Sequence, residues 1–338
     1  MTTITEHTLK TDRHTTAYLQ AGPEDGPLVI FCHGWPELSL SWRHQLPALA
    51  ALGFRCIAPD MRGYGSSSGY PRHEDYRQEI IVADMVQLLA STGRTNAIWV
   101  GHDWGAPVVW NIAAQHPDLV DGVASLCVPY LPNGFTLDEV VKYVDRELYP
   151  ADQYPAGQWD YQCFYEESFE QAGSAFDANV ANLVKAMFRS GRADALAKPT
   201  TTATTRRDGG WFGGGPCPDV PQDFKVISVQ DHAAYTAALQ RNGFFGPDSW
   251  YMNHATNGEY AKRAANGGRL EMPVLFLHAR YDAICQTVAS ELAEPMRQVC
   301  SNLTEHIVDS GHWMAQEQPV AVNAALVKWI AQTMPQVW

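Results

Sequence analysis

Val100-Gly101-His102-Asp103-Trp104-Gly105-Ala106 is the stretch whose reading decides the fold. Residues 97–100 form a short apolar run with the length of a buried strand, and residues 106–114 carry a helical pattern. A side chain held out on a sharp strand-to-helix turn needs small neighbours, which Gly101, Gly105 and Ala106 supply. Here the exposed side chain is the carboxylate of Asp103. A serine in that place would form an acyl ester with a carbonyl substrate, whereas a carboxylate attacks a saturated carbon and becomes the acyl half of an alkyl ester. The chemistry therefore points to epoxides or alkyl halides. The plain alternative is a helix N-cap, which stabilises a helix by about 0.5–2 kcal/mol and does nothing else.

Working outward, strand-like runs at 28–32 and 55–58 alternate with helical stretches, the pattern of βαβ units in a parallel sheet. Residues 7–20 alternate polar and apolar around Thr11-Asp12-Arg13 and predict an antiparallel hairpin at a sheet edge. Ile81, Met85, Leu88 and Leu89 fall on one helix face, suited to covering the sheet. A further strand is expected at 122–128, after which the chain turns aromatic and helical until about residue 266. Strand patterns return at 274–278 and 303–308, and a helix over 320–333 closes the chain with Val322, Leu326, Trp329 and Ile330 on one face. The expected organisation is a core of residues 1–128 and 267–338 split by a helical cap, 129–266. Within that cap, residues 200–221 are dense in Thr, Gly and Pro and predict an irregular loop.

Composition narrows the function. Of the 338 residues 37 are acidic and 24 basic, a formal charge of −13 with no basic block, which argues against nucleic acid as partner. The polar first ten residues and the lack of a long apolar run predict neither secretion nor membrane insertion. Seven cysteines without a Cys-x-x-Cys pair suit reduced thiols in a cytoplasmic protein and make a zinc site improbable. No metal and no organic cofactor is expected.

Three more features lie at predicted strand ends, where active sites of open parallel sheets collect. His33-Gly34-Trp35-Pro36-Glu37 follows the strand at 28–32, and the Trp35 N–H could join that of Trp104 in an oxyanion hole. Asp282 follows the strand at 274–278, and His312 follows the last strand. The order Asp103, Asp282, His312 is that of nucleophile, acid and base in hydrolases built on a strand–turn–helix elbow. Among twelve histidines, His33 and His102 are the rivals of His312, and both flank turns whose geometry they would support. Asp309, the rival of Asp282, precedes Ser310-Gly311 and suits a turn.

On these residues, and on Asp60-Met61-Arg62-Gly63-Tyr64-Gly65 and Gly311-His312-Trp313, the chain resembles the soluble epoxide hydrolases of the α/β-hydrolase superfamily over nearly its whole length. The resemblance implies an α/β-hydrolase fold with a helical cap. It extends into the cap through Asp160-Tyr161-Gln162 and Gly246-Pro247-Asp248-Ser249-Trp250-Tyr251. It implies that Tyr161 and Tyr251 bind and protonate the epoxide oxygen, that Asp103 is the nucleophile, and that His312, oriented by Asp282, activates water. It also implies that Trp35 and Trp104 line the substrate site, that the substrate is a small apolar epoxide, and that the product is a vicinal diol. Two other functions remain open on the sequence: a dehalogenase using the same Asp103, with the Trp104 indole on the halide, and a non-catalytic small-molecule binding protein. The oligomeric state is not readable from the sequence.

Overall fold

The computed structural model describes residues 3–337. Eight strands form one sheet in the order β1-β2-β4-β3-β5-β6-β7-β8. Strands β1 (Thr5–Lys10) and β2 (Thr15–Ala21) make the predicted edge hairpin, and β2 joins β4 (Arg55–Pro59) antiparallel. The other pairings, among β3 (Leu28–Cys32), β4, β5 (Ala97–His102), β6 (Val120–Leu126), β7 (Leu270–Ala279) and β8 (Cys300–Val308), are parallel. A parallel sheet covered on both faces needs near-continuous apolar strands, and every residue of β3 and β5 is buried. The expected mostly parallel α/β sheet is present.

Strand ends differ from the sequence reading for local reasons. Strand β5 runs two residues further because Gly101 and His102 still pair with Ser125 and Leu126. Strand β6 stops before Cys127, whose φ of 68° cannot continue a strand. Strand β7 starts earlier than expected, because a register shift between Leu270 and Pro273 accommodates the proline.

Helices cover both faces. Ile81, Met85, Leu88 and Leu89 are buried on the helix Gln78–Ser91, and Val322, Leu326, Trp329 and Ile330 on Pro319–Thr333. In the helix Gly105–Gln115 only Gln115 escapes burial, as a helix apolar on all sides requires. Between β6 and β7 the described residues form helices and turns without a strand, including Asp160–Asp177, Val180–Met187, Val229–Asn242 and Phe245–Ser249. Residues 200–221 hold two short 3-10 turns, Thr201–Thr204 and Trp211–Gly214, and are otherwise irregular. No helix among the described residues is long and apolar enough to cross a membrane.

The helical segment sits tightly on the sheet's loops. A Cβ on Gly63, where φ is +88°, would lie 3.1 Å from the Cα of Gly246, so these two backbones meet where no side chain fits. Arg62, just before that contact, donates to both carboxylate oxygens of Asp84, at 2.7 and 2.9 Å, with both side chains almost fully buried. Arg13 contributes a further hydrogen bond to Asp84. Removing the carboxylate leaves a buried guanidinium unpaired, so Asp84→Ala is expected to lower stability by about 3–5 kcal/mol in urea unfolding. A loss below about 1 kcal/mol would mean that this pair behaves like a surface ion pair.

Candidate active site

The site gathers at the carboxyl ends of β3, β5, β7 and β8. Asp103 sits in the turn between β5 and the helix Gly105–Gln115 with φ +48°, a conformation that a non-glycine residue adopts only when its surroundings impose it. Its side chain does not cap the helix. Oδ1 accepts a 2.6 Å hydrogen bond from the Trp35 backbone N–H, and Oδ2 lies 3.3 Å from Nε2 of His312. Gly34 makes this approach feasible, since a Cβ there would stand 2.2 Å from Asp103 Oδ1 and 2.6 Å from the Trp104 nitrogen. The Trp35 and Trp104 amides therefore flank one carboxylate, and Trp35 carries a cis peptide bond to Pro36.

His312 follows β8 and donates from Nδ1 to Asp282 Oδ2 at 2.6 Å. Asp282 is buried, and its Oδ1 accepts the amides of Ile284 and Cys285 at 2.8 and 3.0 Å. Burial alone would raise the Asp282 carboxyl, but the charge and hydrogen bond of His312 and these two amides hold it below the usual range. Burial alone would equally favour neutral His312. The Asp282 charge and the hydrogen bonds to Asp103 and Asp282 override it and raise the imidazole well above its ordinary value. His312 is therefore an imidazolium held between the Asp282 and Asp103 side chains.

Behind this trio lies a buried ion pair. His102 donates from Nδ1 to Glu37 Oε2 and from Nε2 to the His312 carbonyl, both at 2.7 Å. Glu37 Oε2 also accepts the Gly34 amide at 3.0 Å, so one carboxylate steadies both the Trp35 loop and the His312 loop. Burial opposes charge on each partner, yet the Glu37 charge lifts His102 to about 10 and His102 draws Glu37 down to about 2. His33 is different. It donates to the Gly34 carbonyl and accepts the Met61 amide, and burial keeps it neutral. Both ring nitrogens of each rival are taken by these partners, so neither serves Asp103. Asp309 is exposed and pairs with Arg280.

Tyr161 and Tyr251 come from the helical segment, on Asp160–Asp177 and the turn Trp250–Met252, with ring centroids 5.7 Å apart. Tyr161 lines a narrow cleft, with free space of only about 10 Å³, together with Asp103, Trp104, Phe135, Trp159 and Cys285 among others. The Tyr251 ring packs edge-on against Trp104 at 5.1 Å and Trp35 at 6.3 Å. Burial and the Asp103 charge raise both phenols above their ordinary value, so both are protonated at neutral pH. The Tyr161 oxygen accepts from Gln162 Nε2 at 3.1 Å, which leaves its proton free to be donated.

Sequence reasoning gave no role to Glu37 or Gln162, although both stand inside the quoted motifs. Trp211 falls within residues 200–221, for which the sequence predicts only an irregular loop. That ring lies 5.6 Å from Tyr161 and 6.1 Å from Trp35 and so walls the site. A residue's neighbour in space leaves no mark on its own local pattern, so these partners had no signal beyond proximity in the chain.

Asp282, Cys285 and His312, and also His102, Cys127 and His312, bring three donor atoms within 4.8 Å of one another. The donors do not suit a metal. His312 and Asp282 already share a hydrogen bond, His102 is held protonated, and burial pushes the Cys285 thiol up.

Comparison with known proteins bears on the fold and the family. The alpha/beta hydrolase fold family matches residues 27–319. Epoxide hydrolase A of Mycobacterium tuberculosis is 33% identical over 333 residues, covering 96% of this chain and 97% of that protein. Bifunctional epoxide hydrolase 2 of Sus scrofa is 33% identical over 306 residues, and the chain spans about half the length of this relative and of its rat and mouse counterparts. The crystal structure of epoxide hydrolase A from Mycobacterium thermoresistibile superposes with a TM-score of 0.81 at 32% identity, covering 97% of this chain and 98% of that one. With the fold and these relatives in agreement, the chain belongs to the α/β-hydrolase fold family, in the branch of the epoxide hydrolases.

Proposed function

We propose that the protein hydrolyses epoxides to vicinal diols through a covalent ester on Asp103. The observation that carries this reading is two protonated, buried tyrosines beside a carboxylate that itself faces an imidazolium. In the first step Asp103 Oδ2 attacks an epoxide carbon while Oδ1 stays on the Trp35 amide. The C–O bond breaks, and its electron pair goes to the oxygen, which takes a proton from Tyr161 or Tyr251. Ester formation removes the charge on Asp103, one of the two anions that kept His312 protonated. His312 then releases its proton, which restores the phenol, and becomes a neutral base. In the second step His312 takes a proton from water, the hydroxide attacks the ester carbonyl, and the Trp35 and Trp104 amides hold the oxyanion. The departing alkoxide takes the remaining proton of the former water. The diol leaves, and Asp103 and imidazolium are restored.

In this proposal residues 129–266 act as a cap over a core of 1–128 and 267–338, with a small apolar epoxide and water as the substrates. Trp35 and Trp104 would also line the substrate. A cytoplasmic setting is supported by seven cysteines that are all free. A dehalogenase would need a second halide donor beside the Trp104 indole, and the neighbouring Trp35 indole cannot be it, because its N–H is already donated to Asp248 at 2.8 Å. A purely binding role would have no use for the complete set of Asp103, His312, Asp282 and both tyrosines.

Three outcomes test the reading. Wild-type protein with styrene oxide should release diol, Asp103→Ala should release none above background, and His312→Gln should lose about 10²–10⁴-fold in turnover while retaining the mass of one epoxide molecule on the protein. Alcohol from a haloalkane with no diol from the epoxide would move the function to dehalogenation. Tyr251→Phe should slow ester formation about 10-fold or more while leaving ester hydrolysis near wild type, read by single-turnover kinetics; equal alkylation rates would remove Tyr251 from the acid role. Glu37→Gln should lower thermal stability most between pH 4.5 and 6.5, the ordinary values of Glu and His, where both charges of the pair contribute fully. The Glu37 contribution is lost as pH falls toward about 2, and the His102 contribution as pH rises toward about 10, so the gap to wild type should narrow in both directions.

A further inference from the structure

Asp248 is a carboxylate that the reaction above does not use. It lies in the short helix Phe245–Ser249, is fully buried, and accepts the Trp35 indole N–H on Oδ1 at 2.8 Å. Among the described residues its Oδ2 has no hydrogen-bond partner and points toward Gly173, where an added Cβ would stand 3.8 Å away. The phenol of Tyr165 acts on the same carboxyl without completing a hydrogen bond, and the Tyr165 ring stacks on Tyr251 at 4.5 Å and 13°. Residue 35 is thus held at both ends, its backbone N–H on Asp103 and its ring on Asp248.

We infer that Asp248 is a positioning residue of this site, a carboxyl on the helical segment that fixes the Trp35 indole and, through it, the Trp35 amide that serves Asp103. The inference rests on the epoxide reading above. Burial holds the carboxyl well above its usual range. The groups that act on it or feel it are Trp35, Asp177, Tyr165 and Tyr64, and none is a cation. Burial thus favours the neutral form, and in either form Oδ1 accepts the indole N–H. A leucine would fill this place without desolvating a polar group, so packing alone does not account for a carboxyl here. A hydrogen-bond acceptor at a fixed point does account for it. The Trp35 ring is packed among Phe176, Trp211 and Phe244, so an indole released from Asp248 can shift only by carrying its own backbone with it, and small misplacements of such donors weaken the transition state strongly.

Single-turnover kinetics with styrene oxide separate ester formation from ester hydrolysis. Asp248→Leu should hydrolyse the ester about 10-fold more slowly or worse, so that ester accumulates, while Asp248→Asn, which keeps an acceptor oxygen, should restore hydrolysis to within about twofold of wild type. If Asp248→Leu does not fold, Trp35→Phe removes the same N–H and should give the same slow hydrolysis. Where both single variants fold, the double variant should be no slower than either. The Trp35 indole N–H resonance, assigned by its loss in Trp35→Phe, should move in Asp248→Leu and stay in place in Asp248→Asn. A folded Asp248→Leu with wild-type hydrolysis, or an Asn variant as slow as the Leu variant, overturns the inference. If the wild type consumes no epoxide, the reaction reading fails instead. The resonance then decides by itself, and an unmoved signal in Asp248→Leu overturns the tie.

Discussion

The backbone of Asp103 stands in the left-handed region with its carboxylate facing the Trp35 amide and the His312 imidazole, and the rest of the structure is arranged to keep it there. Such a conformation costs on the order of 1–3 kcal/mol for a residue with a Cβ. The neighbours that impose it are specific. Gly105 has no room for a side chain, since a Cβ would lie 2.1 Å from the Cys32 carbonyl oxygen, and Gly34 has none because Asp103 and the Trp104 nitrogen fill that space. The parallel pairing of β3 with β5 brings these two turns side by side. Strand register, small residues and strain are one constraint seen at three levels.

Charge is layered around that carboxylate. Asp282 and Asp103 hold His312 protonated from either side, and behind it Glu37 and His102 form a second ion pair that reaches both the Gly34 amide and the His312 carbonyl. Buried ion pairs contribute little net stability because desolvation offsets attraction, but breaking one is severe. Their value here is geometric. Each charge is satisfied by hydrogen bonds whose directions fix a loop, so the loops cannot move independently. On the proposed mechanism the front pair is meant to be broken, since alkylation neutralises Asp103, whereas the Glu37–His102 pair stays intact through the cycle and keeps the frame.

The helical segment closes the site from above with aromatic rings rather than charges. Tyr161, Tyr165, Trp211 and Tyr251 pack on one another and on Trp35 and Trp104, so aromatic surface walls the approach to Asp103 and His312, whose side chains stay partly accessible. Burial keeps both phenols protonated and makes each hydrogen bond stronger than it would be in solvent. Asp248 is the polar exception in this wall, and its bond to the Trp35 indole joins the helical segment to the sheet's own loop.

Sequence alone determined the parallel sheet, because buried strands leave continuous apolar runs, and it singled out Asp103, Asp282 and His312, because strand ends and small-residue turns have local patterns. The resemblance to epoxide hydrolases added Tyr161 and Tyr251 through their motifs. Periodicity could not place the ends of β6 and β7, where a left-handed Cys127 and a register shift at Pro273 decide them. Only the tertiary structure set the protonation of His312, the pairing of Glu37 with His102, the wall made by Trp211 and the bond from Trp35 to Asp248. These depend on groups distant in the chain, separated by 65 residues for Glu37 and His102 and by 213 for Trp35 and Asp248. Burial and Coulomb interaction act through space, so they come into being only when the fold brings such groups together.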